Sequence, residues 1–260
     1  MSSEASANSE RDYVQSLSRG LTVLQAFNAE RPAMTLADMS RATGLTRATA
    51  RRLLHTLVSL GYVSTDGRTF ELTPRVLDLG FAYVSSLQLP DIAQPFMEDL
   101  SDRIHESVSA SVLDDDQIVY VARVNTQRIM GISLAIGSRL PAAWTSMGRV
   151  LLAGLPTPQL DEFLSNLKTS GPTANSISDI EMLRSEIHLV RTQGYALIDQ
   201  ELEEGIRSVA APLRDRRGRT LAAVNVGTHA ARVTLKELRG VILPALLATA
   251  RSIESQLAKR

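Results

Sequence analysis

The chain has 260 residues, a length that favours two domains of unequal size over one. Its 28 basic and 28 acidic side chains cancel, so any nucleic-acid binding must come from a local patch rather than from overall charge. The absence of cysteine excludes disulfides, thiolate metal sites and cysteine nucleophiles, while an apolar fraction of 44% suffices for ordinary globular cores.

Residues 1–12 are small and polar and read as a flexible tail. The start lacks the layout of a secretory signal, and no window reaches membrane-spanning length, so the expected location is cytoplasmic with no membrane partner. From Ser16, Leu17, Leu21, Leu24 and Phe27 recur at helical spacing with Val23 beside them, predicting an amphipathic helix that ends before Arg31-Pro32. Thr35 then precedes a short second helix with Leu36, Met39 and Ala42 or Thr43 on one face. Gly44 closes it with a backbone able to take positive φ.

Thr46 is positioned to cap a third helix, from Arg47 to about Leu60, closed by Gly61. Ala50, Leu53, Leu54, Leu57 and Leu60 form its apolar stripe. At about 100° per residue the opposite face carries Ala48, Arg52, His55 and Ser59, flanked by Thr49, Arg51 and Thr56. Between Asp38 and Asp66 there is no carboxylate, although Arg41, Arg47, Arg51 and Arg52 fall in that interval. Such a segment makes the positive local field that phosphate neutralisation needs, small residues allow close approach to base edges, and an arginine can donate two hydrogen bonds to a guanine. Tyr62 to Thr65 and Arg68 to Leu72 alternate apolar and polar residues around Asp66-Gly67, which predicts a hairpin wing with Arg68 at its tip.

Three helices followed by a wing predict a winged helix-turn-helix over residues 13–73. Its expected DNA-contacting residues are Thr46, Arg47, Ala48, Thr49, Arg51, Arg52, His55 and Arg68. A protein-interaction winged helix, or a merely solvated basic face, is the competing reading.

Thr73-Pro74 reads as a cap followed by the first residue of a linker helix, 74–90, with Leu77, Phe81 and Val84 in a stripe. Leu89-Pro90-Asp91 is expected to break it, with Asp91 capping a helix in which Ile92, Phe96, Leu100 and Ile104 face one way. From Val108 the period becomes strand-like: SVSASVL, a turn at Asp114-Asp115-Asp116, QIVYVARVN, and RIMGISLAIG as a third strand. Three consecutive carboxylates diverge in direction, so a solvated turn is expected rather than a metal site. Helices over 158–167 and 178–193, strands over 195–202, 207–213 and 221–226, and a last helix from about Thr234 predict an α+β domain over 91–260. The basic turn at Asp215-Arg216-Arg217-Gly218 reads as an exposed hairpin end.

An enzyme would need a nucleophile, a metal or a cofactor cradle. His55, His105, His188 and His229 are scattered without paired spacing, and no dinucleotide fingerprint, phosphate loop or nucleophile elbow occurs. No catalytic residue, metal or cofactor is therefore expected. A small-molecule enzyme or sensor fused to a winged helix is the alternative class, distinguished by turnover of the bound compound.

DYVQSLSRGLTVLQAF, TLADMSRATGLTRATARRLLHTLVSLGYV, RLPAAWTSMGRVLLAGLP and GYALIDQELEEGIRSVAAPLRDRRGRTLAAVNVG resemble, in order, four signature stretches of the IclR family of bacterial transcriptional regulators. The resemblance covers nearly the whole chain. QSLSRGL with VLQAF, and RLPAAWTSMGR, are most similar to the PcaR, PcaU and PobR branch, which controls protocatechuate and β-ketoadipate pathway genes.

That resemblance implies a GAF-like effector-binding and oligomerisation domain, with a central, mainly antiparallel sheet flanked by helices. It also implies a homodimer or homotetramer, palindromic double-stranded operator DNA, a small organic acid effector, and RNA polymerase as a partner if the protein activates. Carried over by motif, the pocket positions are Ser146, Met147, Ile198, Ser208, Asn225 and Gly227. Relatives that bind small keto acids have an acid where Ile198 stands and a cysteine where Ser208 stands, so a pocket of different polarity is expected here. Arg123 and Arg149 are the candidate counter-charges, with a surface position or a structural ion pair as the alternative for either, and Trp144 is assigned either to packing between domains or subunits or to stacking on an aromatic effector.

Overall fold

The computed structural model describes residues 13–86, 89–126, 134–168 and 170–259. The chain divides into two compact units, residues 1–86 and 87–260, and the polar segment 1–12 lies outside the described residues.

In the first unit α1 spans Gln15–Gln25. Val23 and, just beyond the helix, Phe27 enter the core, whereas Leu17 and Leu21 remain 63% and 47% exposed. The predicted single stripe is therefore two surfaces, because only the C-terminal half of the helix is packed against its neighbours. Helix α2, Leu36–Thr43, begins with a reciprocal capping box between Thr35 and Asp38 and ends at Gly44, whose φ of +68° would be strained for a side chain with a Cβ. The Thr35 hydroxyl and backbone N–H hold the Asp38 carboxyl below its ordinary pKa. Helix α3, Arg47–Ser59, is capped by Thr46, whose Oγ1 accepts from the Thr49 N–H, and buries Ala50, Leu54 and Leu57. Leu60, placed in the stripe by periodicity, is exposed because the helix ends before it.

The wing has three strands. β1 (Ala33–Thr35) pairs with β3 (Thr69–Leu72), which pairs with β2 (Val63–Thr65), all antiparallel. β1 is too short to show alternation, which is why the sequence does not reveal it. In the β2–β3 loop the Asp66 carboxyl accepts the backbone N–H groups of Thr69 and Arg68, which lowers its pKa. Thr73 holds the N-cap position of a 3-10 turn, Pro74–Val76, with Pro74 at its start as expected, but it makes no side-chain capping bond: its hydroxyl donates to the Gly61 carbonyl at 2.6 Å, and α4, Leu77–Ser86, follows the turn. Leu77, Leu79 and Tyr83 are exposed on α4, and the side chains of Phe81 and Val84 lie outside the described residues.

In the second unit α5 runs Leu89–Ile104. Residues 87 and 88, between α4 and α5, lie outside the described residues; Pro90 falls in the first turn of α5, where its missing N–H costs nothing, so Asp91 sits inside the turn rather than capping it. Six strands follow: β4 Ser107–Asp114, β5 Gln117–Val124, β6 Arg139–Pro141, β7 Ala196–Asp199, β8 Ile206–Arg214 and β9 Thr220–His229. They form one antiparallel sheet in the order β6-β5-β4-β9-β8-β7. Of the expected third strand, residues 127–133 lie outside the described set and Leu134–Gly137 are not strand; pairing resumes at Arg139, and Asp114 of the acidic turn forms an ion pair with Arg139.

One face of this sheet, with Val108, Ala110, Val209, Ala211, Val224 and Val226, packs on α5 and the C-terminal helix. The latter starts with a turn at Leu235–Glu237 capped by Thr234, passes through a π-helical stretch at Leu238–Ile242, and continues as α9, Leu243–Leu257. The other face carries α6 (Ser146–Ala153), α7 (Thr157–Asn166) and α8 (Ile180–Gln193) over Ile118, Tyr120, Ala196, Ala210 and Ala223. Gly148 lets α6 sit against the preceding turn, since a Cβ there would come within 2.0 Å of the Ala142 carbonyl oxygen.

Candidate functional site

The first candidate surface is the outer face of α3. Arg47, Ala48, Arg51, Arg52, His55 and, on the wing loop, Arg68 are exposed as expected, and among the described residues none of the four arginines forms an ion pair. Arg41 differs: Asp38 neutralises it at 2.8 Å. The Thr46 and Thr49 hydroxyls bond each other at 2.9 Å at the helix N-terminus, where free backbone N–H groups also favour an anion. The His55 ring meets Phe70 of β3 edge-on at 6.2 Å, coupling the reading face to the wing. An acid-free cationic helix backed by a wing can neutralise phosphates and offer bidentate donors to base edges.

The second candidate is a cavity of about 330 Å³ between the sheet and the start of α6. Its walls bring together Ser146 and Met147 from α6, Ile198 from β7, Ser208 from β8, Asn225 and Gly227 from β9, and Arg123 from β5. The register explains this convergence. Ile198 lies opposite Ser208, Ser208 opposite Gly227, and Ser109 is flanked by Asn225 on one side and Arg123 on the other, so residues of five adjacent strands share one face.

Arg123 reaches that face through an irregularity. Ala110 pairs with Ala122 but Ser111 pairs with Tyr120, which leaves Val121 as the extra residue of a β-bulge. The bulge reverses the alternation, so Tyr120 and Arg123, three apart, both line the cavity, with the guanidinium 6.0 Å from the ring centroid. The guanidinium donates to Asn125 Oδ1 at 2.5 Å and to Ser109 Oγ at 3.3 Å. It has no carboxylate partner among the described residues, and burial lowers its pKa, opposed by Tyr120. Burial pushes the Tyr120 phenol up to about 12, so it is a neutral hydroxyl at physiological pH.

The other polar groups are arranged around this cation. Ser208 Oγ donates to Ser146 Oγ at 2.8 Å, linking β8 to the first turn of α6, whose cap is Thr145 through its bond from the Gly148 N–H. Asn225 Oδ1 is buried without a hydrogen-bond partner among the described residues, a costly arrangement unless another group supplies a donor. Trp144, Leu134, Leu140 and Ile206 add apolar surface, and Glu203, Glu204 and His229 stand at one rim.

Arg149 is not at the cavity. It is 1% exposed, and its guanidinium donates to Glu201 Oε2 at 2.5 Å and to the Ala143 carbonyl at 3.1 Å. Desolvation raises the Glu201 pKa and Arg149 opposes that rise. The reason lies in helical phase: Ser146 and Met147 open toward the cavity, while position 149 turns toward the Glu201 loop. Sequence reasoning also missed Ser109, Tyr120 and Thr228 as lining residues. Alternation would have found Ser109, whereas Thr228 is out of phase with Asn225 and Gly227 and the Tyr120–Arg123 pairing depends on a bulge that has no sequence signature here.

The IclR helix-turn-helix domain matches residues 16–67, and the bacterial transcriptional regulator IclR C-terminal domain matches residues 81–255. The chain is 46% identical over 247 residues to the Pca regulon regulatory protein of Pseudomonas putida, covering 95% of this chain and 85% of that one. A crystal structure of a protein from Rhodococcus sp. RHA1 is 53% identical with a TM-score of 0.86, covering 95% and 99% of the two chains. An IclR homolog from Microbacterium hydrocarbonoxydans, crystallised with 4-hydroxybenzoate, is 26% identical with a TM-score of 0.81 over 94% and 99%. Among the described residues no helix is long and apolar enough to cross a membrane. The chain belongs to the IclR family of bacterial transcriptional regulators, and it is a DNA-binding regulator with an effector-binding domain rather than an enzyme.

Proposed function

We propose that the cavity takes a single-ring aromatic carboxylic acid and that its occupancy controls operator binding. The observation that carries this reading is a half-buried Arg123 guanidinium with no ion pair among the described residues, in a cavity to which Met147, Ile198, Trp144, Leu134 and Leu140 contribute apolar wall. A carboxylate supplies the missing counter-charge, a ring fills the apolar volume, and a ring hydroxyl supplies the donor that Asn225 Oδ1 lacks. The 4-hydroxybenzoate carried by the Microbacterium homolog supports this chemistry, and the likeness to a Pca regulon regulator supports an aromatic acid or β-ketoadipate pathway intermediate.

Thr46, Arg47, Ala48, Thr49, Arg51, Arg52, His55 and Arg68 then serve as the contacts to operator DNA. The exposed Leu17 and Leu21 of α1 and Leu77, Leu79 and Tyr83 of α4 provide apolar surface for self-association, so a homodimer or homotetramer reads a palindromic site in the cytoplasm. RNA polymerase is a further partner if the effector-bound form activates.

The test is a thermal-shift panel of benzoates, hydroxybenzoates and β-ketoadipate, followed by gel shifts on the fragment upstream of the protein's own gene. Ligand at 100 times its Kd is expected to add about 2.7 kcal/mol of stability without being consumed. A panel that leaves the melting temperature and the gel shift unchanged would reject the effector assignment.

A further inference from the structure

Beside the effector cavity the second unit carries a larger groove of about 800 Å³, formed by α7, the β4–β5 turn and the segment before α6. Its floor includes Leu113, Leu155, Phe163 and Leu167, and Asp115, Asp116 and Glu162 lie at its edge. Trp144 lines both the cavity and the groove, and among the described residues no other is common to the two walls. The indole is 7% exposed and is held in place from two sides. Its Nε1 donates to the Ile177 carbonyl at 3.3 Å, and Gly171 packs so closely that a Cβ there would come within 3.1 Å of that nitrogen.

We infer that Trp144 is a specificity-determining wall: it closes the effector cavity off from the groove and so limits effectors to single-ring acids. The inference rests on the proposed aromatic-acid reading of the cavity. A cavity of about 330 Å³ lies at the small end of ligand sites, which run from about 300 to 1,000 Å³. Both compartments have apolar lining besides the indole, Met147 and Leu140 in the cavity and Phe163 and Leu155 in the groove. Shortening this side chain joins two apolar spaces, and the joined space accommodates a second ring on the same acid. The pinned indole cannot swing aside without losing the Ile177 hydrogen bond, which makes it a fixed partition rather than a swinging gate.

Calorimetry on the full-length chain tests this with 4-hydroxybenzoate and the three phenylbenzoate isomers. The variants are Trp144→Ala, Trp144→Leu, which keeps apolar packing at the position, and Trp144→Phe. The wild type is expected to bind the single-ring acid and reject all three isomers by at least tenfold. Trp144→Ala and Trp144→Leu are expected to bring at least one isomer to within threefold of the single-ring acid, with Trp144→Phe retaining most of the discrimination. A wild type that binds a phenylbenzoate as tightly as 4-hydroxybenzoate overturns the inference, and so does a folded Leu or Ala variant that keeps the wild-type ratio. If Trp144→Ala does not fold, Trp144→Leu and the wild-type exclusion still decide the matter. A wild type that binds none of the four acids removes the aromatic-acid reading on which the partition depends, an outcome recognisable because it precedes any comparison of variants.

Discussion

Replacing Arg123 by Gln removes the charge and keeps a planar, hydrogen-bonding, though shorter, side chain. A hydrogen bond to a charged group contributes about 1.5–3 kcal/mol, and Arg123 is only half-buried, so about 2 kcal/mol of carboxylate binding is expected to vanish, roughly a 30-fold rise in Kd. The free protein responds differently. The guanidinium there makes bonds to Asn125 and Ser109 and a cation–π contact with Tyr120, with no acid among the described residues, so its stability is expected to change by no more than about 1 kcal/mol. Calorimetry with 4-hydroxybenzoate and its uncharged amide separates charge from shape. The wild type is expected to prefer the acid by roughly 30-fold, and Arg123→Gln to bind the two about equally. An affinity loss below threefold, or an equal loss for acid and amide, would refute the assignment of Arg123 as the carboxylate's counter-charge.

Two further outcomes follow from other residues. Arg52→Ala is expected to weaken operator binding and to reduce the slope of log affinity against log salt by about one if it meets a phosphate, while effector affinity stays within threefold; gel shifts across a salt series and parallel calorimetry read both. Arg149→Met leaves Glu201 buried without its cation and is expected to cost about 3–5 kcal/mol at neutral pH, measured by urea unfolding through the fluorescence of Trp144, the sole tryptophan. Glu201 already has a raised pKa from desolvation, and losing Arg149 raises it further. A raised carboxyl pKa leaves stability intact below the unfolded-state value and removes it as pH rises, so the deficit is expected to shrink on acidification toward about pH 4.3 and to lose its pH dependence in Arg149→Met/Glu201→Gln. A deficit that is flat or grows on acidification would contradict the buried pair.

The sequence disclosed those parts of the molecule where one local rule acts alone. The Thr35 and Thr46 caps, the Gly44 turn and the acid-free face of α3 follow from hydrogen-bonding chemistry within a few residues, and the structure has them where the spacing put them. Errors arose where partners distant in sequence decide. Thr73 has the composition of a cap, but the carbonyl at Gly61 claims its hydroxyl. Leu17 and Leu21 satisfy helical periodicity, but nothing among the described residues of the first unit covers them. Asp91 looks like a cap until one asks where the helix starts: Leu89 and Pro90 already belong to its first turn, where the N–H that proline removes has no partner to lose.

The cavity shows the same division, and it explains why specificity is harder to read than family. The positions carried over by motif, Ser146, Met147, Ile198, Ser208, Asn225 and Gly227, converge because strand alternation and a helix start are regular features that survive substitution. The two arginines look equivalent in the sequence, yet their environments separate them. The extra Val121 turns Arg123 inward beside Tyr120, while the phase of α6 turns Arg149 onto Glu201, where its charge is already spoken for. A cation is available to a carboxylate ligand only if the fold has not supplied one of its own. Arg123 meets that condition among the described residues and Arg149 does not.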